Sequence, residues 1–327
     1  MNVLGIALVA LTLQNADTIP PAVAVESPYT IHSGALELGG TLTLPRGATG
    51  RLPVVVIIAG SGPTDRNGNS MMGIRPNSYA QLAWRLAERG IASLRYDKRV
   101  LPATKGTVDI TRLTLEDFAA DARAAAESLA RDARFSRVVL LGHSEGSALA
   151  LIAARQGPPV AGVISVSGLG RPLGVVMREQ LARQFDSATL VRYDTAMAQY
   201  LRGETPKDVP PLLGVLFVPV NQNFMKSLAA FDPPAAIHAV AQPVLIIQGG
   251  RDLQVTVADA TRLIEAARTG SKLVIVPLAN HVLKEATDTT LPGQIRAYQD
   301  PTVPIMPDVA NAIADWMFKP VPGVRRP

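Results

Sequence analysis

The sequence predicts an α/β protein, a doubly wound and mostly parallel sheet that carries a helical insertion. Three observations predict it. Runs of consecutive aliphatic residues recur along the chain, the pattern of strands covered on both faces. Stretches with helical spacing lie between them, and this alternation implies right-handed crossovers around a central sheet. One block, about 171–237, breaks the alternation and holds helical segments joined by a linker, with no strand pattern.

The elements follow in order. YTIHSGALELGGTLTLP alternates apolar and polar residues around Gly39-Gly40 and reads as an antiparallel hairpin at the start of the sheet. Buried strands are predicted at Pro53 to Ala59, Ile91 to Leu94, Val138 to Leu141, Val160 to Val166, Val244 to Ile247 and Leu273 to Val276. Helices are predicted at Tyr79 to Glu88, Leu115 to Arg131, Ala148 to Arg155, Ala258 to Ala267 and Val309 to Phe318, with Gly90 and Gly270 closing two of them. In the insertion, RPLGVVMREQLARQF, DSATLVRYDTAMAQYL and NQNFMKSLAAF look helical, and DVPPLLGVLFVP looks like a linker. An insertion at that point is expected to act as a lid, because ligands of open α/β sheets bind outside the carboxyl ends of the strands.

Composition narrows the function. The 327 residues are 47% hydrophobic and 18% charged, ample for a core. They suit one large domain, 25–327, more than two small ones. The net charge of +5 is spread without a dense basic run, which excludes a nucleic-acid partner. MNVLGIALVALTL is too short for a stable membrane anchor, and with AVA at Ala22 to Ala24 it reads as a signal peptide over 1–24, hence export; a cytoplasmic location is the alternative. The absence of cysteine removes disulfides, thiolate catalysis and Cys-based metal sites.

The chemistry centres on Gly142-His143-Ser144-Glu145-Gly146, a G-x-S-x-G string that follows a strand and opens a helix. That context makes Ser144 a nucleophile on a strained turn, with small neighbours letting strand and helix approach. A helix-capping serine is the bland alternative. A serine hydroxyl needs a base, and the chain holds four histidines. His32 lies in the hairpin and His143 inside the turn, so His281, in a loop beyond a strand, is the candidate base and His238 the reserve. Asp252 in VLIIQGGRDLQV supplies the acid and completes the order serine, aspartate, histidine, unless it is only a cap or Asx-turn residue. The oxyanion hole is expected from the main-chain N–H of Ser61, with Gly62 as alternative, and that of Glu145. Gly60-Ser61-Gly62 is not a dinucleotide loop, because the third glycine position holds Asp65.

Taken together, GSGPTDRNGN, RYDKR, GHSEG, GGRDLQV and NHVLK resemble the motifs of bacterial α/β-hydrolase serine esterases, in the same order and over most of the chain from about residue 30. The resemblance implies the α/β-hydrolase fold, the triad Ser144, Asp252 and His281, and hydrolysis of small carboxylic esters through an acyl-enzyme, with a small-molecule substrate and no cofactor or metal. Val100-Leu101-Pro102 departs from the glycine that usually follows RYDKR. The other readings are a serine peptidase or amidase, with Glu179 or Asp186 binding an amine, and a non-catalytic binding protein. The charges near the strand ends suggest an Asp97–Arg66 or an Asp65–Arg99 pair.

Overall fold

The computed structural model describes residues 20–70 and 73–318. Most of the expected signal segment lies outside the described residues, whereas Ala24 is the first residue of a strand.

Eight strands form one sheet in the spatial order β1-β2-β4-β3-β5-β6-β7-β8. The hairpin β1 (Ala24–Ser33) and β2 (Leu36–Pro45) is antiparallel, and β2 runs antiparallel to β4 (Ala92–Tyr96). All other pairings are parallel, through β3 (Leu52–Ile58), β5 (Phe135–His143), β6 (Val160–Val166), β7 (Val244–Gly249) and β8 (Lys272–Val276). The hairpin turns at Gly34, where φ is +58°, and not at Gly39-Gly40. Those glycines lie inside β2, where a Cβ at Gly40 would stand 2.9 Å from the Arg95 carbonyl of β4.

Alternation along each strand sorts its side chains to two faces. Val54, Val56 and Ile58 of β3 enter a core covered by α2 (Leu115–Ala130), α3 (Glu145–Arg155), α7 (Pro233–Ala239) and α8 (Val257–Ala266). Val55 and Ile57 enter the opposite core, beneath α1 (Ser78–Ala87) and α10 (Pro307–Phe318). Helices on both faces make the sheet doubly wound, as the alternation predicts. Thr114 and Thr256 start α2 and α8 with capping boxes to Asp117 and Asp259.

The segment between β6 and α7 folds as α4 (Leu173–Ala182), α5 (Ser187–Arg202) and α6 (Gln222–Ala229). The stretch expected to be a linker is instead wound into 3₁₀ turns at Pro211–Phe217 and Pro219–Asn221. It packs Leu213 and Phe217 on Tyr193, Met197 and Tyr200 of α5, a small core separate from the sheet's own. Two helices escape the sequence reading: α7, and α9 (Leu291–Gln299) after β8. No helix among the described residues is long and apolar enough to cross a membrane.

Candidate active site

Parallel strands end together at one edge, and the predicted residues gather there. β5 ends at His143 and α3 begins at Glu145, which leaves Ser144 alone in the turn at φ 55° and ψ −122°. For a residue with a Cβ such a conformation costs about 1–3 kcal/mol and persists only where the surroundings impose it. The packing imposes it: a Cβ at Gly142 would stand 2.0 Å from the Gly146 carbonyl oxygen, and one at Gly146 would stand 2.4 Å from that of Ile58. Only glycine lets the first turn of α3 sit this close to β3 and β5. The Ser144 N–H is anchored on the Val166 carbonyl of β6 at 2.9 Å.

Asp252 and His281 meet although 29 positions separate them, with His281 Nδ1 2.8 Å from Asp252 Oδ2. The loops that carry them are stitched by the Arg251 N–H on the Ala279 carbonyl at 2.9 Å. Asp252 Oδ1 accepts from the N–H groups of Gln254 (2.8 Å) and Val255 (2.9 Å), so Asp252 closes an Asx turn with one oxygen and holds the imidazole with the other. Gln248 Nε2 reaches Oδ2 at 3.2 Å. Burial pushes the Asp252 carboxyl up, and His281 with the two N–H donors more than offsets this, so the group is held below the usual carboxylate range. The His281 loop is shaped by Asn280, whose Oδ1 accepts the N–H of Val282 and Lys284. The His281 ring packs on that of His143, beside Ser144, with centroids 4.8 Å apart.

Ser61, Gly62, Ser144 and Glu145 share the wall of a cavity of about 600 Å³. Glu145 is the first residue of α3, so its N–H has no acceptor within the helix and sits at the positive end of the helix dipole. The insertion roofs the cavity with Leu173, Val176 and Met177 of α4 and Phe224, Met225 and Leu228 of α6. The arrangement offers a hydroxyl on a constrained turn, an imidazole oriented by a carboxylate, and N–H donors beside an apolar chamber. Among the described residues no group of three or more His, Asp or Glu could hold a metal ion.

The model of the alpha/beta hydrolase family matches residues 55–284, which include every one of these side chains. The chain belongs to the alpha/beta hydrolase family. A relative from Thermotoga maritima, named esterase EstD, is 31% identical over 309 residues, covering 93% of this chain and 70% of its own length. Among solved structures, dienelactone hydrolase from Anabaena variabilis superposes with a TM-score of 0.52 at 20% identity, over 90% of this chain and 97% of its own. Est1E from Butyrivibrio proteoclasticus, solved with ferulic acid bound, gives 0.56 at 18% identity over 88% and 97%. These two likenesses are of fold.

Around the hydrolase site the charged strand ends pair off. Asp97 takes Arg66 at 2.6 Å and also the Arg66 N–H at 2.9 Å. The Asp65–Arg99 pair does not form, because Asp65 turns back onto the N–H groups of Asn67 and Asn69 while Arg99 reaches Asp121 of α2 at 2.7 Å. Lys98 is bound to Glu145 at 2.8 Å, a buried ion pair that itself faces the cavity. His238 is exposed on α7, with Nδ1 3.2 Å from the Ala266 carbonyl and no part in the hydrolase cavity wall. Tyr79 and Gln248 escape sequence reasoning altogether, and Lys98, legible only as one of the charges at a strand end, has a partner the sequence does not announce. Tyr79 touches His143 and Lys98 touches Glu145 across 64 and 47 positions, whereas Gln248 touches Asp252 only four positions on, just past the end of β7.

Proposed function

We propose that this hydrolase cleaves small carboxylic esters through an acyl-enzyme, with Ser144 as nucleophile, His281 as general base and acid, and Asp252 as the group that orients His281. The observations that carry the reading are the constrained Ser144 at the cavity wall and the His281 imidazole, packed on the ring of His143, whose Nδ1 is taken by a buried carboxylate. With Nδ1–H donated to Asp252, Nε2 is the nitrogen left to accept the serine proton. Ser144 attacks the ester carbonyl, and the N–H groups of Ser61 (or Gly62) and Glu145 stabilise the oxyanion. His281 then hands the proton to the leaving alcohol, and water, activated by the same imidazole, releases the acid.

A mainly apolar cavity of about 600 Å³ suits a small acyl ester, and the Thermotoga relative is named an esterase. The amidase alternative needs a carboxylate for a substrate amine. Its two candidates are engaged elsewhere, Glu179 in an ion pair with Arg171 and Asp186 as the cap of α5.

The test is a panel of p-nitrophenyl acyl esters beside aminoacyl-anilides, with Ser144→Ala as control. Turnover of the esters is expected to fall about 10⁶-fold in the variant while the fold persists. Retained turnover in Ser144→Ala, or faster cleavage of the anilides, overturns the reading.

A further inference from the structure

His143 occupies the variable position of the G-x-S-x-G string, and the chemistry proposed above gives it no task. It is nevertheless buried with both ring nitrogens within hydrogen-bond distance of partners. The side chain is 5% exposed at the end of β5, immediately before Ser144. Its Nε2 lies 2.7 Å from the carbonyl oxygen of His281, and a carbonyl only accepts, so Nε2 carries the proton. In a neutral imidazole Nδ1 is then an acceptor, and it lies 2.8 Å from the hydroxyl of Tyr79. That hydroxyl must donate. Its oxygen in turn accepts the N–H of Gly60 at 3.0 Å. Every proton of the series therefore has one place: Gly60 N–H to Tyr79 Oη, Tyr79 O–H to His143 Nδ1, and His143 Nε2–H to the His281 carbonyl.

The segments joined in this way carry the parts proposed to react. Gly60 precedes Ser61 on the oxyanion loop and is so close to the turn that a Cβ added to it would stand 3.2 Å from the Cβ of Ser144. His143 is the residue before the nucleophile, and the third segment is the main chain of His281 itself. Tyr79 comes from the first turn of α1, meets His143 edge-on with centroids 5.5 Å apart, and is 4% exposed, behind the cavity wall. Neither residue lines the cavity. An imidazolium would put two donors face to face at Nδ1, and burial opposes that form by lowering the His143 pKa to about 3.

We propose that His143, locked by Tyr79 as the neutral Nε2–H tautomer, is a positioning residue that sets the distance between the oxyanion loop and the His281 loop across the nucleophile turn. This rests on the Ser144, His281 and Ser61 roles proposed above. Preorganised donors and a preset base lower the barrier only when held within a fraction of an ångström, and a shift of about 1 Å can cost on the order of 100-fold in rate. A clamp of fixed polarity supplies that constraint where apolar packing would let the loops drift.

The experiment measures kcat and KM for p-nitrophenyl butanoate, and the rate at which a fluorophosphonate labels Ser144, in the full-length wild type, Tyr79→Phe, His143→Leu and His143→Gln. Tyr79→Phe and His143→Leu are expected to lower kcat by roughly 10- to 100-fold with KM within about twofold, and to slow labelling in parallel. His143→Gln keeps an acceptor for Tyr79 and a donor for the His281 carbonyl, and is expected to restore most of the loss. The clamp is overturned if Tyr79→Phe and His143→Leu fold normally and keep kcat within about threefold of wild type, or if His143→Gln is no better than His143→Leu. A second measurement needs no variant to fold: nitrogen-15 spectra of histidine-labelled wild type should report His143 as the Nε2–H tautomer, and the Nδ1–H tautomer overturns the proposal. Failure of the fluorophosphonate to label wild-type Ser144 would instead sink the nucleophile assignment, a different outcome from labelling that ignores Tyr79 and His143.

Discussion

The Lys98–Glu145 pair invites a direct test because it is buried on both sides, with side-chain exposures of 6% and 4%. At 2.8 Å the attraction is about 6 kcal/mol for an effective dielectric of roughly 20, and most of it is offset by the cost of taking two charges out of water. Removing one partner keeps that cost and discards the compensation. Lys98→Met is therefore expected to destabilise the protein by about 3–5 kcal/mol, with a small further loss from the ammonium that sits 5.5 Å from the Phe118 ring. At roughly 2 °C per kcal/mol for a chain of this size, the melting temperature should drop by about 6–10 °C. The double substitution Lys98→Met with Glu145→Met replaces the pair by apolar groups of similar volume and should return to within about 1 kcal/mol of wild type, or exceed it. Urea and thermal unfolding of the wild type, both single variants and the double variant give the coupling energy directly. Single variants that each cost less than about 1 kcal/mol, or a double variant equal to the sum of the singles, would refute the reasoning.

His143 is neutral in the folded state down to about pH 3, because burial and then His281 oppose its charge, whereas the unfolded chain protonates it below about 6.5. Stability should therefore fall by about 1.4 kcal/mol per pH unit below that value, a slope read from urea midpoints between pH 7.5 and 5 and flattened in His143→Gln. Asp252, also lowered in the fold, has the same sign, but its contribution is lost only as pH falls through and below the usual carboxylate range, outside that window. Parallel slopes in wild type and His143→Gln would contradict the assignment. Val176 on α4 is buried in the roof of the cavity, so Val176→Trp should depress kcat/KM for octanoyl relative to acetyl esters by at least about 10-fold, as a chain-length panel would show. An unchanged ratio would remove α4 from the acyl-binding surface.

What the sequence makes legible is what local periodicity and short spacing encode. The aliphatic runs reappear as β3 to β8, and Gly142 and Gly146 bracket the turn because the close approach of α3 leaves no room for a Cβ. The hairpin turn is misplaced for a physical reason: a glycine pair signals either a turn or a crowded strand, and here Gly40 is crowded by the neighbouring β4 and Gly39 by the Arg66 side chain. The helices α7 and α9 are hidden by Pro233, Pro234 and Pro292, which read as breakers although proline is well tolerated in a first helical turn. Their caps, Asp232 and Thr290, are the signal that could have revealed them.

The site shows the same division more sharply. Ser144, Asp252 and His281 are recognisable because each lies where a strand gives way to a loop or helix, and their order along the chain carries information. Tyr79, His143 and Lys98 become meaningful only through partners 64, 138 and 47 positions away. Nothing in GHSEG distinguishes a histidine that fills a variable position from one whose two nitrogens are both committed, and nothing near Lys98 says that the strand end beside it will meet the first residue of α3. Both depend on the strand order, which places β4 and β5 on either side of β3 and brings the loop after β8 back across the same edge. The residues proposed to react are thus written in short motifs, whereas those proposed to hold them at working distance are set by topology.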